Sequence, residues 1–317
     1  MRVCLMIEGQ EDVTWEQWLA LAGACEEHGL DGLFRSDHYG PLMGMPDRGS
    51  LDAWATLAGL AARTSRIRLG TLVSPATFRP PAVLAKTVVT VDHISGGRVE
   101  LGLGAGWHEG EHRAHGFEFP PTRTRMERLA EQLEIVTRSW SEDDFSFQGR
   151  HYQLQDLRAL PKPVQRPRPT LLVGGRAGPK SLALAARFAD EYNVTGVPMD
   201  ELPERRARQL DAWREAGRDP EEARMSLMIT GVVGRDQAEV EQRVGRVLAV
   251  TGSDDSVAEV LDARPNWVLG TVDQVVGQLQ SLEAAGIGRV MLQHLDHDDV
   301  EMVAVLGEVA ASMDPSP

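Results

Sequence analysis

The sequence predicts an α/β protein, a (β/α)8 barrel of the TIM type, on three observations. Short β-branched apolar runs alternate with longer helical patterns almost from end to end. There are eight such runs, each followed by a helical pattern. The runs are nearly continuous in apolar residues, as strands of a parallel sheet covered on both faces must be. An open doubly wound sheet would show the same alternation and remains the alternative. Residues 1–317 are read as one barrel domain with an insertion at about 141–168.

The elements follow in order. Arg2–Glu8 is a strand, and Thr14–His28 an amphipathic helix with Thr14 as N-cap and Gly29 as its stop. Gly32–Arg35 is the second strand, Leu51–Arg63 a helix and Ile67–Val73 the third strand. Pro80–Ile94 opens with prolines, which the first helical turn tolerates, and closes at Ser95-Gly96-Gly97. Val99–Leu103 is the fourth strand and Met126–Trp140 a strong helix. The polar, proline-bearing stretch Ser141–Arg168 reads as a loop inserted at the C-terminal face. Thr170–Val173, Glu191–Thr195, Met225–Val232 and Arg289–His294 complete the eight strands, with helices between them and after the last.

Composition narrows the function. Of 317 residues, 42% are apolar and 25% charged, ordinary globular values. The balance of 33 basic against 47 acidic residues gives −14, a surface that repels phosphate backbones and anionic membranes. Nucleic acid and membrane are therefore not expected as partners. An anionic ligand would need local N–H groups and a few cations. Cys4 and Cys25 lie in apolar patterns and read as buried thiols. Met1–Leu5 reads as a strand rather than a secretory signal, so the expected location is the cytoplasm.

In a barrel of this kind chemistry gathers at the C-terminal ends of the strands. Six of the eight ends carry unusual residues: Glu8-Gly9-Gln10, Ser36-Asp37-His38, Ser74-Pro75-Ala76-Thr77, Gly104-Ala105-Gly106-Trp107-His108-Glu109, Gly174-Gly175-Arg176-Ala177-Gly178 and Gln293-His294. The stretch Gly174–Lys180 follows an apolar strand and opens a helix. Glycines let a phosphate approach the backbone, the helix start offers free N–H groups, and Arg176 and Lys180 add charge. An ordinary tight turn is the plainer reading. Gly102–Trp107 is no dinucleotide fingerprint, because Trp107 occupies the third glycine position and no helix is expected there. It reads either as backbone against which a flat ligand lies or as packing. His38, His108 and His294 end three strands, whereas His112, His115 and His297 fall in loops. No metal-ligand spacing links them, and no metal is expected.

Arg35-Ser36-Asp37-His38-Tyr39, Leu69–Pro75, Asp92–Arg98, Gly104–Trp107 and the Gly174–Lys180 turn resemble the luciferase-like monooxygenase superfamily. Ser36-Asp37-His38 and Val290–His294 resemble its branch that uses the deazaflavin coenzyme F420. The resemblance spans about residues 2–310 and implies a (β/α)8 barrel, a homodimer and a small-molecule substrate. It implies that Asp37 and His38 face the reacting edge of the deazaflavin, with His38 as proton donor and His108 and His294 as the other candidates. It implies a cis peptide at Leu72–Val73 behind the ring, with Ser74, Thr77, Gly104, Gly106, Trp107 and His108 around it. Gly174, Gly175, Arg176, Ala177, Gly178 and Lys180 would hold the tail phosphate. The substrate would meet Glu8, Gln10, Tyr39, Trp107, Glu109 and Gln293, within walls that include the Tyr39–Arg48 loop and the 141–168 insertion. Two departures stand out: Leu42 replaces an aromatic residue, and His108 stands where asparagine is commoner. Hydride transfer with F420 is the expected chemistry, and an FMN-dependent monooxygenase on the same barrel is the alternative.

Overall fold

A computed structural model describes residues 1–43, 47–263 and 266–313. Its strands are β1 (Arg2–Ile7), β2 (Gly32–Arg35), β3 (Arg68–Thr71), β4 (Ser74–Pro75), β5 (Val99–Gly104), β6 (Phe145–Gln148), β7 (Gln153–Leu157), β8 (Thr170–Gly175), β9 (Glu191–Val194), β10 (Arg224–Gly234), β11 (Trp267–Thr271) and β12 (Arg289–His294). The α-helices are α1 (Trp15–Glu27), α2 (Ala53–Ala61), α3 (Pro81–Ser95), α4 (Glu109–Ala114), α5 (Thr122–Ser141), α6 (Pro179–Phe188), α7 (Leu202–Glu215), α8 (Gln237–Thr251), α9 (Val257–Asp262), α10 (Val272–Ala284) and α11 (Val300–Met313). None is long and apolar enough to cross a membrane.

Eight strands close a parallel ring in the order β1-β2-β3-β5-β8-β9-β10-β12, and β12 pairs with β1 to complete it. These are the eight apolar runs of the sequence, so the barrel is established and the open sheet is not formed. Side chains alternate across each strand. On β1, Val3, Leu5 and Ile7 join the large core shared with the helices. Cys4 and Met6 turn into the barrel with Phe34, Leu72, Leu172 and Met291. Thr14 caps α1 as expected: the Gln17 amide donates to its hydroxyl at 3.2 Å, and its own amide donates to Gln17 Oε1 at 2.8 Å.

Three features depart from the expected layout. The 141–168 insertion is not all loop, because it contains the antiparallel hairpin β6–β7. β11 is a further strand, paired to the far end of β10 over Thr230–Gly234 and outside the ring. A short helix, α4, does begin two residues after Trp107, in the stretch expected to be loop. Between β3 and β4 the Leu72–Val73 peptide is cis, as the resemblance implies, and β4 then pairs with the end of β5.

Candidate active site

At the C-terminal mouth the ends of β1, β2, β10 and β12 are joined by one polar chain. Thr230 donates to Gln293 Oε1 at 2.8 Å, and Gln293 Nε2 donates to Glu8 Oε1 at 2.6 Å. Gln10 Nε2 donates to the other Glu8 oxygen at 2.9 Å, and Ser36 donates to Gln10 Oε1. Glu8 and Gln10 are buried. Amide donors therefore satisfy both oxygens of a carboxylate held away from bulk water.

Asp37 is fully buried at the end of β2. Its Oδ2 accepts from Ser74 and from Arg79 Nη1, each at 2.5 Å, while Trp54 Nε1 donates to Ser74 at 3.1 Å. Arg79 also donates to Tyr39 Oη and to Asp52, both at 2.9 Å. Burial opposes the Arg79 charge, but Asp37 and Asp52 outweigh it and hold its pKa above the usual value. Asp37 Oδ1 has no partner among the described residues. A buried carboxylate oxygen without a donor is costly and marks a place where a ligand N–H would be welcome.

The next residue, His38, bonds through Nδ1 to Glu111 Oε2 at 2.7 Å. Glu111 is buried at the foot of α4 and also accepts from the Tyr39 and Gly40 amides. Burial disfavours the His38 cation. The hydrogen bond and charge of Glu111, with Glu8 and Asp37 behind it, win and raise its pKa above the ordinary histidine value. Burial likewise works against the Glu111 charge, but His38 and the two amides keep its carboxyl below the usual range. His108 Nδ1 lies 4.0 Å from the same Glu111 oxygen, and the Trp107 ring meets His38 edge-on at 6.1 Å. Below them His112 Nδ1 bonds the His108 carbonyl at 2.7 Å, so Nδ1 carries the proton. His112 Nε2 then accepts from Thr77 at 2.7 Å, which fixes Thr77 in place.

Val73 fills the space that glycines leave on the opposite wall. A Cβ at Gly104 would stand 2.7 Å from Val73 Cγ2, and one at Gly174 2.8 Å from Val73 Cγ1. Side chains at either position would displace Val73, so packing accounts for both glycines. Beyond Gly174 the turn is propped from beneath: Tyr192 Oη accepts from the Ala177 amide at 2.9 Å and pairs with Ser181 Oγ at 2.8 Å. Among the described residues no acceptor takes the Arg176 or Gly178 amides. A Cβ at Gly178 would meet nothing within 4 Å, so the start of α6 is open. Arg176 and Lys180 are exposed beside it.

The mouth thus brings together Glu8, Gln10, Asp37, His38, Val73, Ser74, Thr77, Trp107, His108 and Gln293 from five strand ends. Two expected residues lie elsewhere. His294 follows Gln293 by one residue, so the strand alternation turns it to the outer layer beside His297, at 6.4 Å between rings. It is 1% exposed, and burial pushes its pKa down to about 3. It does not share the space of His38. Glu109 points to solvent, where it pairs with Arg113 at 2.8 Å. Glu111, two residues on and so on the other side of α4, takes the inward position. Residues 44–46 of the Tyr39–Arg48 loop lie outside the described residues. Glu111, Arg79 and Tyr192 were not legible as site residues: their partners are 73, 42 and 15 positions away in the chain.

A protein-family model described as luciferase-like monooxygenase matches residues 4–309. The F420-dependent glucose-6-phosphate dehydrogenase of Microbacterium testaceum is 33% identical over 303 residues, 89% of this chain and 88% of that one. An uncharacterised Mycobacterium tuberculosis protein is 38% identical over 170 residues, 54% of this chain and 58% of its own, so the chain spans little more than half of that relative. Among solved structures, an F420-dependent secondary alcohol dehydrogenase in complex with an F420-acetone adduct shares the fold. The TM-score is 0.83 at 22% identity, covering 99% of each chain. With a barrel closed over the expected strands and a family match from end to end, the chain belongs to the luciferase-like monooxygenase family.

Proposed function

We propose that the chain is an F420-dependent oxidoreductase that moves a hydride between the deazaflavin and a small organic substrate. One observation carries the reading: an unpartnered buried Asp37 oxygen and a propped glycine turn with free amides open on one barrel mouth. The chain's full-length relative from Microbacterium testaceum, named as F420-dependent, supports the choice of coenzyme.

The residues present fit such a group. Asp37 Oδ1 offers an acceptor to a ring N–H, Val73 offers an apolar wall, and the Arg176 and Gly178 amides with Lys180 offer donors to a phosphate. Bound F420 supplies a carbon centre that gives or takes hydride and reacts poorly with oxygen. The chain has three tasks around it. Asp37, fixed by Ser74 and Arg79, orients the ligand edge. Trp107 and the Glu8–Gln293 network limit water at the mouth. His38, whose cationic form Glu111 favours, supplies the proton that balances hydride delivery and takes it back in the reverse direction. We further propose a cytoplasmic homodimer, on the family resemblance.

Fluorescence titration tests the reading. F420 is expected to bind at least about tenfold more tightly than FMN, roughly 1.4 kcal/mol. Equal or tighter FMN binding would favour the monooxygenase alternative.

A further inference from the structure

The mouth has a second half, away from Asp37 and His38. Beside β9, β10 and β12 lies a cavity of about 230 Å³, lined among others by Thr195, Met228, Thr230, Trp267 and Gln293. It exists because β10 changes partners along its length. β10 pairs with β9 up to Leu227 and with β11 only from Thr230, which leaves a notch in the wall between them. Met228 stands in that notch and packs against the barrel interior.

No charged side chain is among the described residues that line this cavity. Apart from the exposed Asn266 amide at its rim, its polar side chains are already engaged. The Thr230 hydroxyl is bound to Gln293, the Gln293 amide to Glu8, and the Thr195 hydroxyl lies 4.0 Å from the Met228 sulfur. What remains open, besides the Asn266 amide, is the apolar surface of Met228 and Trp267, with a carboxylate directly behind Gln293. Arg79 is engaged with Asp37 and Asp52 and Arg48 with Glu11 and the Val250 carbonyl, while Arg176 and Lys180 stand at the glycine turn proposed for the coenzyme phosphate. A phosphate placed here would lose its water, meet no cation among the described lining residues and face Glu8.

We infer that the substrate of this site is an uncharged, largely apolar molecule seated against Met228 and Trp267, and not a phosphate ester. The inference rests on the oxidoreductase reading above and adds the substrate class. It separates this chain from a relative named for glucose 6-phosphate.

Calorimetric titration with 2-butanone through 2-octanone and with glucose 6-phosphate, on the chain with oxidised F420 bound, tests it. Affinity is expected to rise roughly fourfold per added methylene, as apolar burial dictates. Glucose 6-phosphate is expected to bind at least tenfold more weakly than 2-octanone. Met228→Lys and Trp267→Ala should each weaken 2-octanone at least tenfold; Trp267 lies on β11, outside the ring, so that variant keeps the barrel. A flat ketone series, tighter glucose 6-phosphate, or 2-octanone binding unchanged in both variants would overturn the inference. F420 is also titrated into the chain alone, and the ketone series is repeated without it. Ketones that bind as stated to a chain that does not take F420 would sink the coenzyme reading alone, whereas F420 binding with a flat ketone series would sink the substrate class alone.

Discussion

His38 is governed by a single neighbour. Burial alone would make it a neutral histidine at ordinary pH, and the Glu111 carboxylate at 2.7 Å reverses that outcome. The two shifts define a window. The raised His38 pKa contributes stability that is complete below about 6.5, the unfolded value, and is lost as pH rises through the folded one. The lowered Glu111 pKa contributes stability present above about 4.5 and lost as pH falls through its folded value. The pair is therefore most stabilising between those two pH values. Glu111→Gln keeps an oxygen for the Tyr39 and Gly40 amides but removes the charge. The His38 ring titration, followed by NMR, should move to lower pH, and the alkaline limb of kcat/KM should move with it. An unmoved His38 titration would mean that Glu111 serves only the backbone. The sequence pointed to His38 and to Glu109, but the carboxylate that faces in is Glu111. That depended on α4, a six-residue helix too short to leave a periodic signal.

At the scale of elements, strands carry the site at one end and a charge cluster at the other. Glu100 near the start of β5, Glu191 at the start of β9 and Arg289 at the start of β12 are all buried. Arg289 Nη2 donates to Glu100 Oε2 at 2.9 Å and to Glu191 Oε1 at 2.8 Å, and Arg68 of β3 also pairs with Glu100. Burial opposes the Glu100 charge, but Arg289 and Arg68 hold its carboxyl well below the usual range. Its stabilising contribution is thus present above the unfolded pKa and lost as pH falls through the folded one. Removing one member leaves an uncompensated buried charge. Glu100→Ala should cost about 3–5 kcal/mol in urea denaturation at neutral pH; a loss below about 1 kcal/mol would show that the cluster is slack. The eight ring strands were legible because apolar runs on both faces mark parallel strands. β11 was not, since it is only five residues long, includes a glycine and serves one edge of β10. The β6–β7 hairpin was hidden for another reason. Its strands are polar and largely exposed, so no alternation announced them.

For the whole molecule, a net charge of −14 sets the terms on which an anionic coenzyme enters. The Gly174–Lys180 turn answers it locally, with free amides at the start of α6 and two cations beside them. The sequence pointed to that turn through its glycines, yet Tyr192, which props it, belongs to the next strand and gave no sign. Glycines at 104 and 174 were legible as special, while their reason, the Val73 side chain, required the folded wall. The cavity at Met228 and Trp267 was least legible of all, because it depends on where β10 exchanges β9 for β11. The central claim is that one mouth holds the coenzyme between Asp37, Val73 and the glycine turn. A crystal structure of the chain soaked with F420 tests it most directly. The account predicts a ring N–H within hydrogen-bond distance of Asp37 Oδ1 and a phosphate on the Arg176 and Gly178 amides. A coenzyme bound away from Asp37, or a phosphate held elsewhere while that turn stays bare, would contradict it.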